Sequence, residues 1–272
     1  MHKLNEEQLF QAWNQDEHAE RFSSWNQNST GKLLKRCREF NEFQLFLSIA
    51  GSEDCQTMSD VGCASGGFYR FFHKTWPSLA YKGFDISETA IRVARSCNPT
   101  GDFQVYDGSF DSSPDIPADI VFSRDVAHHQ KEPREFIANL YGAARRYLLL
   151  RVRTRETGAT VFDPSKSGQY TNGHWVPFIV FNTSEMIDLF RSFSPAPKSI
   201  TVWRHPDVLG GYNGRFLPKD LYYQETGTAQ TAVLVEKGSD SDNQESVVTL
   251  EDHPETHQAD WWYRLARKVV RR

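Results

Sequence analysis

From residue 57 onward, short apolar runs alternate with longer stretches in which apolar residues recur at helical spacing. Strand-like runs fall at 57–62, 80–85, 102–107, 119–122, 147–152, 199–203 and 231–236. Helical patterns occupy 66–76, 87–97, 132–145 and 183–192, and Ser87 and Asn182-Thr183 are placed to cap two of them. Strands alternating with helices predict βαβ units and an α/β fold built on a mostly parallel sheet with helices on both faces.

Ahead of this core, residues 4–50 carry Leu9, Phe10, Trp13, Leu33, Leu34, Cys37, Phe40, Phe43 and Phe46 at helical spacings. A polar stretch, 22–31, interrupts them. Two insertions break the alternation, 153–181 and 204–229. Loops of this length inside a domain are functional or disordered, and their aromatic content argues against disorder. Residues 238–260 hold seven acids and no Lys or Arg, whereas 261–272 hold five basic residues and no acid. That contrast reads as an acidic linker followed by a basic amphipathic helix.

Chemistry concentrates at strand ends. Asp60-Val61-Gly62-Cys63-Ala64-Ser65-Gly66 is an acid followed by a turn of small residues that opens a helix. Small side chains let a ligand approach the backbone, and a helix start offers N–H donors and a positive dipole end. Asp85 and Asp107 end the next two strand-like runs.

Three strand-terminal acids in that order, with that turn, resemble the class I S-adenosylmethionine-dependent methyltransferases across roughly residues 55–236. The resemblance implies a Rossmann-like sheet of seven strands whose last strand lies antiparallel between the fifth and sixth. It also implies S-adenosylmethionine as cofactor, with Asp60 orienting the turn and the cofactor's amino group. Gly62 and Gly66 would admit the backbone, while Cys63 and Ala64 lie between them; Ala64 replaces the family's second glycine. Asp85 would take the ribose hydroxyls and Asp107 the adenine amino group, with Ile86, Gly108, Ser109 and Phe110 bordering the ring. Arg124 joins this cofactor set. A nicotinamide or flavin dinucleotide is the competing cofactor, but its fingerprint needs glycine where Ala64 stands.

In that family the end of the fourth strand faces the methyl group. Here it reads Ser123-Arg124-Asp125-Val126-Ala127-His128-His129, so His128, His129 and Asp125 are the catalytic candidates, one histidine acting as general base. A helix-cap or cofactor-contacting role without proton transfer is the plainer alternative. Asp125 alone does not supply a magnesium ligand set, so no metal is expected. Tyr170, His174 and Trp175 in the first insertion, and Arg204, His205, Tyr212 and Arg215 in the second, are substrate-contact candidates by their place on loops. The segment before the first strand reads either as a lid over the site or as a helical cap without ligand contact.

The net charge of −4 gives no reason to expect nucleic acid. Cys37, Cys55, Cys63 and Cys97 lack metal-ligand spacing and fit a reducing compartment, and no window is long and apolar enough to span a membrane. A cytoplasmic protein is expected, with an oxygen or nitrogen of a small molecule or glycan as methyl acceptor. The basic tail suits an anionic membrane surface or a protein partner. The competing function is a non-catalytic S-adenosylmethionine-binding scaffold. The expected organisation is a cap at 1–54, a catalytic core at 55–237, a linker at 238–260 and a tail helix at 261–272.

Overall fold

The computed structural model describes residues 12–113, 115–171, 173–207, 209, 215–221, 227–239 and 245–255. Three short helices open it: α1 (Asp16–Ser23), α2 (Thr30–Cys37) and α3 (Asn41–Ile49). Strands β1 (Thr57–Val61), β2 (Ala80–Asp85) and β3 (Asp102–Val105) then alternate with α4 (Tyr69–Thr75) and α5 (Glu88–Cys97). They are followed by β4 (Ala118–Arg124), α6 (Pro133–Ala143) and β5 (Ala144–Arg155). Ser87 and Asn182 cap as expected, accepting from the amides of Ala90 and Glu185.

The sheet runs β3-β2-β1-β4-β5, all parallel, and continues through β11 (Thr228–Lys237) and β9 (Pro197–Pro206). β11 pairs antiparallel with both β5 and β9, in the expected place of the last strand. The strand count is higher than expected. β8 (Phe181–Asn182) adds beside β5, and β12 (Val247–Asp252) adds parallel to β9, giving nine strands. β12 lies inside the segment expected as a linker; it pairs with β9 and packs Val248 against the core while its other side chains stay exposed.

The insertions also differ in extent. β5 runs on to Arg155 and β9 to Pro206, so both strands project past the sequence boundaries. Between them β6 (Gly168–Thr171), β7 (His174–Pro177) and β10 (Arg215–Phe216) form a small three-stranded sheet. α7 (Thr183–Arg191) leads from β8 to β9.

Both faces of the main sheet are covered, so its central strands are apolar on both sides. On one face Val61, Val121, Leu148 and Leu150 pack with Ile137, Leu140, Ile187 and Phe190 of α6 and α7. On the other, Met58, Ile120, Phe122 and Leu149 pack with Phe43, Phe46, Phe71 and Phe72 of α3 and α4. These four rings are buried and lie 4.8–6.0 Å apart in mutual contact. Much of the aromatic content is therefore core, each fully buried Phe contributing about 1.5–3 kcal/mol.

The parallel pairing brings the carboxyl ends of β1, β2 and β4 to one edge. The chain leaves β1 for β2 and β3 on one side and returns to β4 on the other. The crevice at that reversal is where open α/β sheets bind ligands.

Candidate active site

A cavity of about 200 Å³ opens at that reversal. Its floor comes from the strand ends, Asp60, Asp85, Phe122, Arg124 and Asp125, with Gly62, Cys63, Ala64, Ser65 and Gly67 from the β1–α4 turn. The turn is pinned by Gly62 and Cys63, whose amides donate to the Phe84 carbonyl at 2.7 and 3.0 Å. Gly62 has φ +84°, and a Cβ there would stand 2.3 Å from Val126, so glycine is required. Ala64 takes φ +46° and Asp125 φ +59°, two non-glycine residues in the left-handed region at the same cavity. Such strain persists where the surroundings fix it, commonly at ligand sites.

Asp85 organises the turn directly. Its Oδ2 accepts from the Ala64 amide at 2.8 Å and its Oδ1 from the Ser87 amide at 2.9 Å. Burial pushes its pKa upward against those donors. Asp60 is 2% exposed and is raised to about 7, by burial first and by the nearby Asp85 carboxylate, against a hydrogen bond from the Tyr81 hydroxyl at 2.8 Å. Asp125 behaves oppositely. Burial alone would raise it, but Arg151 and Arg124 hold it far below the usual carboxylate range.

The N-terminal segment supplies the remaining wall. Ser65 Oγ donates to the Ala19 carbonyl at 2.7 Å, Asn26 Nδ2 to the Ser65 carbonyl at 2.6 Å, and Arg70 Nη2 to the carbonyls of Asn26 and Asn28. These bonds seat α1 and the turn after it on the glycine loop, and Trp13, Phe22 and Trp25 thereby line the cavity. Of the two sequence readings of this segment, its side chains meet the lid's requirement of facing the site.

The two histidines part company. Val126 leads into a short 3₁₀ turn, Ala127–His129, that buries His128 at 3% exposure and sets His129 against the cavity. His129 Nδ1 lies 2.9 Å from the Pro177 carbonyl, and Trp13 packs on its ring at 4.7 Å. A carbonyl only accepts, so the neutral His129 ring carries its proton on Nδ1 and its lone pair on Nε2.

Other sequence candidates lie elsewhere. Asp107 is exposed and turned to its own loop, accepting from the Ser109 amide and the Ser112 hydroxyl, which lower its pKa. Gly108 and Ser109 share that loop, and Phe110 packs on Tyr106 and Phe136 instead of lining the cavity. Tyr106 takes the wall position, with Ile86. Gly66 packs against Phe103. Tyr170 is 61% exposed on β6, and Trp175 on β7 donates its indole N–H to Pro164 and packs on Phe216. His174 is on β7 too, outside the cavity lining. His205 corrects the loop reading: it is inside β9, 2% exposed, with Nδ1 accepting from the Glu255 amide. Tyr212 and the basic tail 261–272 lie outside the described residues. The first insertion reaches the site through Pro177 and Phe178, the latter packing on both histidine rings at 5.2 and 5.7 Å.

Among the described residues no three His, Cys, Asp or Glu side chains are grouped to hold a metal ion, and no helix is long and apolar enough to cross a membrane.

The donor set fits S-adenosylmethionine. Among the described residues the cavity presents three carboxylates, Asp60, Asp85 and Asp125, and one guanidinium, Arg124. The cofactor offers a sulfonium, an ammonium and a ribose diol to the former and one carboxylate to the latter.

Comparison with known proteins agrees. A family model described as a methyltransferase domain matches residues 59–147. A magnesium protoporphyrin IX methyltransferase from Synechocystis PCC 6803 with bound cofactor superposes with TM-score 0.52 at 12% identity, over 88% of this chain and 100% of that one. The plantazolicin methyltransferase BpumL with S-adenosylhomocysteine gives 0.50 at 16%, over 85% and 94%. A phosphoethanolamine N-methyltransferase from Haemonchus contortus gives 0.55 at 13%, over 86% of this chain and 60% of that one. Together with the glycine turn and the acids around the cavity, these matches place a methyltransferase domain at residues 59–147, on a fold shared with S-adenosylmethionine-dependent methyltransferases.

Proposed function

We propose that this enzyme methylates a hydroxyl oxygen on a small molecule or glycan, with His129 as general base. The observation that carries the reading is the position of His129: it lines the cavity with its tautomer set by the Pro177 carbonyl, while His128 is buried behind it.

When bound, S-adenosylmethionine supplies a methyl group already activated by sulfonium. Asp85 would hold the ribose hydroxyls, Tyr106 and Ile86 would flank the adenine, and Asp60 with the 62–65 turn would hold the amino-acid end. Asp107, outside the cavity, is not part of this set. Trp13, Phe22 and Trp25 would exclude water and hold the acceptor oxygen in line, where positioning supplies much of the rate. His129 Nε2 would accept the hydroxyl proton as the oxygen attacks. Asp125, held ionised by its two arginines, is too weak a base for that role and contributes fixed negative charge.

The core 55–237 would then be the catalytic unit, with the 261–272 tail attaching the enzyme reversibly to an anionic surface. A panel of phenols, sugars and amines, scored by S-adenosylhomocysteine release, tests the reading. With a hydroxyl acceptor, His129→Gln should lower turnover by about 10²-fold or more while leaving S-adenosylhomocysteine affinity unchanged. His128→Gln should act mainly on melting temperature. Turnover confined to amines and indifferent to His129→Gln would overturn the oxygen and base assignments.

A further inference from the structure

Glu42 is an unusual residue to bury. It sits in the first turn of α3 with 0% exposure, at a depth where an uncompensated carboxylate costs several kcal/mol. Its Oε1 accepts from Arg124 Nε at 2.7 Å and from Arg151 Nη1 at 3.1 Å. Arg124 Nη1 in turn pairs with Asp125 at 3.0 Å. The guanidinium also lies 5.3 Å from the Phe40 ring centre and 5.1 Å from that of Phe68. It is thus held along two edges and packed by two rings, and among the described residues its third nitrogen, Nη2, makes no hydrogen bond.

Apolar residues of similar volume stabilise a fold at least as well as buried ion pairs do. A network of this cost directly beneath a cavity therefore points to a task at the cavity. Arg124 is the one arginine or lysine among the described lining residues, facing three carboxylates. The ligand correspondingly carries one carboxylate, at its amino-acid end.

We propose that Glu42 is a positioning residue of the cofactor site: it fixes the Arg124 guanidinium so that Nη2 is presented to the cofactor's amino-acid carboxylate. This rests on the assignment of the cavity to S-adenosylmethionine. Glu255 is the second brace. Its Oε1 accepts from the Asn41 amide at 3.0 Å, and its Oε2 lies 3.8 Å from Arg151, the other cation on Glu42. Preorganisation of this kind converts a long flexible side chain into a fixed charge, so less ordering is required when the ligand binds.

The test uses two probes, S-adenosylhomocysteine and its decarboxylated analogue S-adenosyl-3-thiopropylamine, titrated calorimetrically into the full-length protein. The wild type should prefer the carboxylate-bearing probe by about 10-fold or more, the range of a charge-assisted pair. Glu42→Gln should remove most of that preference through weaker S-adenosylhomocysteine binding, leaving the analogue's affinity in place. Arg124→Gln should do the same. If Glu42→Gln fails to fold, Glu42→Gln with Arg151→Met removes one buried charge of each sign and carries the same test. Equal weakening of both probes would assign Glu42 a purely structural role, and an unchanged preference would separate it from the site; either overturns the proposal. Failure of the wild type to bind either probe would instead refute the cofactor assignment.

Discussion

Replacing Asp85 isolates the contribution of one carboxylate to cofactor affinity. An ionised carboxylate has about four lone-pair positions. Two are already used inside the protein, Oδ2 by the Ala64 amide and Oδ1 by the Ser87 amide. One acceptor position remains on each oxygen, matching the two hydroxyls of a ribose. Asp85→Asn keeps the shape but turns an NH₂ toward one of the two amides, and Asp85→Ala leaves both amides without their acceptor. The ribose contacts are charge-assisted, so Asp85→Ala should weaken S-adenosylhomocysteine binding by about 1.5–3 kcal/mol, roughly 10- to 150-fold in Kd. Calorimetry at constant pH reads the loss. A thermodynamic cycle with the 2′-deoxy analogue then isolates the diol: the analogue should bind the wild type weakly and lose little more in the variant. If the two losses are additive, Asp85 does not touch the ribose, and the arrangement of the site described above is wrong.

Three further outcomes follow from the same geometry. Asp60 keeps its proton to about pH 7 when folded, whereas an unfolded aspartate loses it near about 4; between these values the folded state binds the extra proton, so stability should fall as pH rises, and Asp60→Asn should lack that slope in thermal melts from pH 4 to 8. Ala64→Gly relieves a left-handed alanine and should raise stability by about 0.5–1 kcal/mol after the entropic cost of glycine; a loss in chemical denaturation would contradict that reading. A chain ended after residue 258 should keep its melting temperature but lose any co-sedimentation with anionic vesicles, whereas one ended after residue 252 also loses Glu255 and should melt several degrees lower. Equal melting points for the two truncations would remove Glu255 from the fold.

What could be read from residues alone was the part governed by local rules. The βαβ alternation, the caps at Ser87 and Asn182 and the antiparallel place of Thr231–Glu236 follow from periodicity and from the family resemblance. The Asp60-to-Gly66 turn was legible because backbone approach demands small residues in a fixed order. Asp85 followed from its place at a strand end. The misreadings are long-range. Nothing local distinguishes His205 in a strand from His205 in a loop, since β9 reaches it by pairing with Gln230 of β11, and Glu255, fifty residues on, donates to its ring. Asp107 ends a strand-like run as Asp85 does, yet its own loop offers it Ser109 and Ser112 as donors. Glu42 carried no signal at all, because one acid on an apolar helix is ordinary until two arginines from β4 and β5 are seen to close on it. Val247–Asp252 was hidden by its acids, which face solvent from an edge strand.

The network around Glu42 also sets an order of events during synthesis. Asn41 and Glu255, 214 positions apart, meet beside the same cavity, as do Glu42 and Arg151, 109 apart. A ribosome extending this chain from its N-terminus exposes Glu42 and Arg124 long before Glu255 exists. The nascent protein must therefore carry an incompletely braced cation pair until nearly all of the described chain has emerged. A polypeptide stalled before residue 255 is left without the contacts that Glu255 makes to the Asn41 amide and to Arg151.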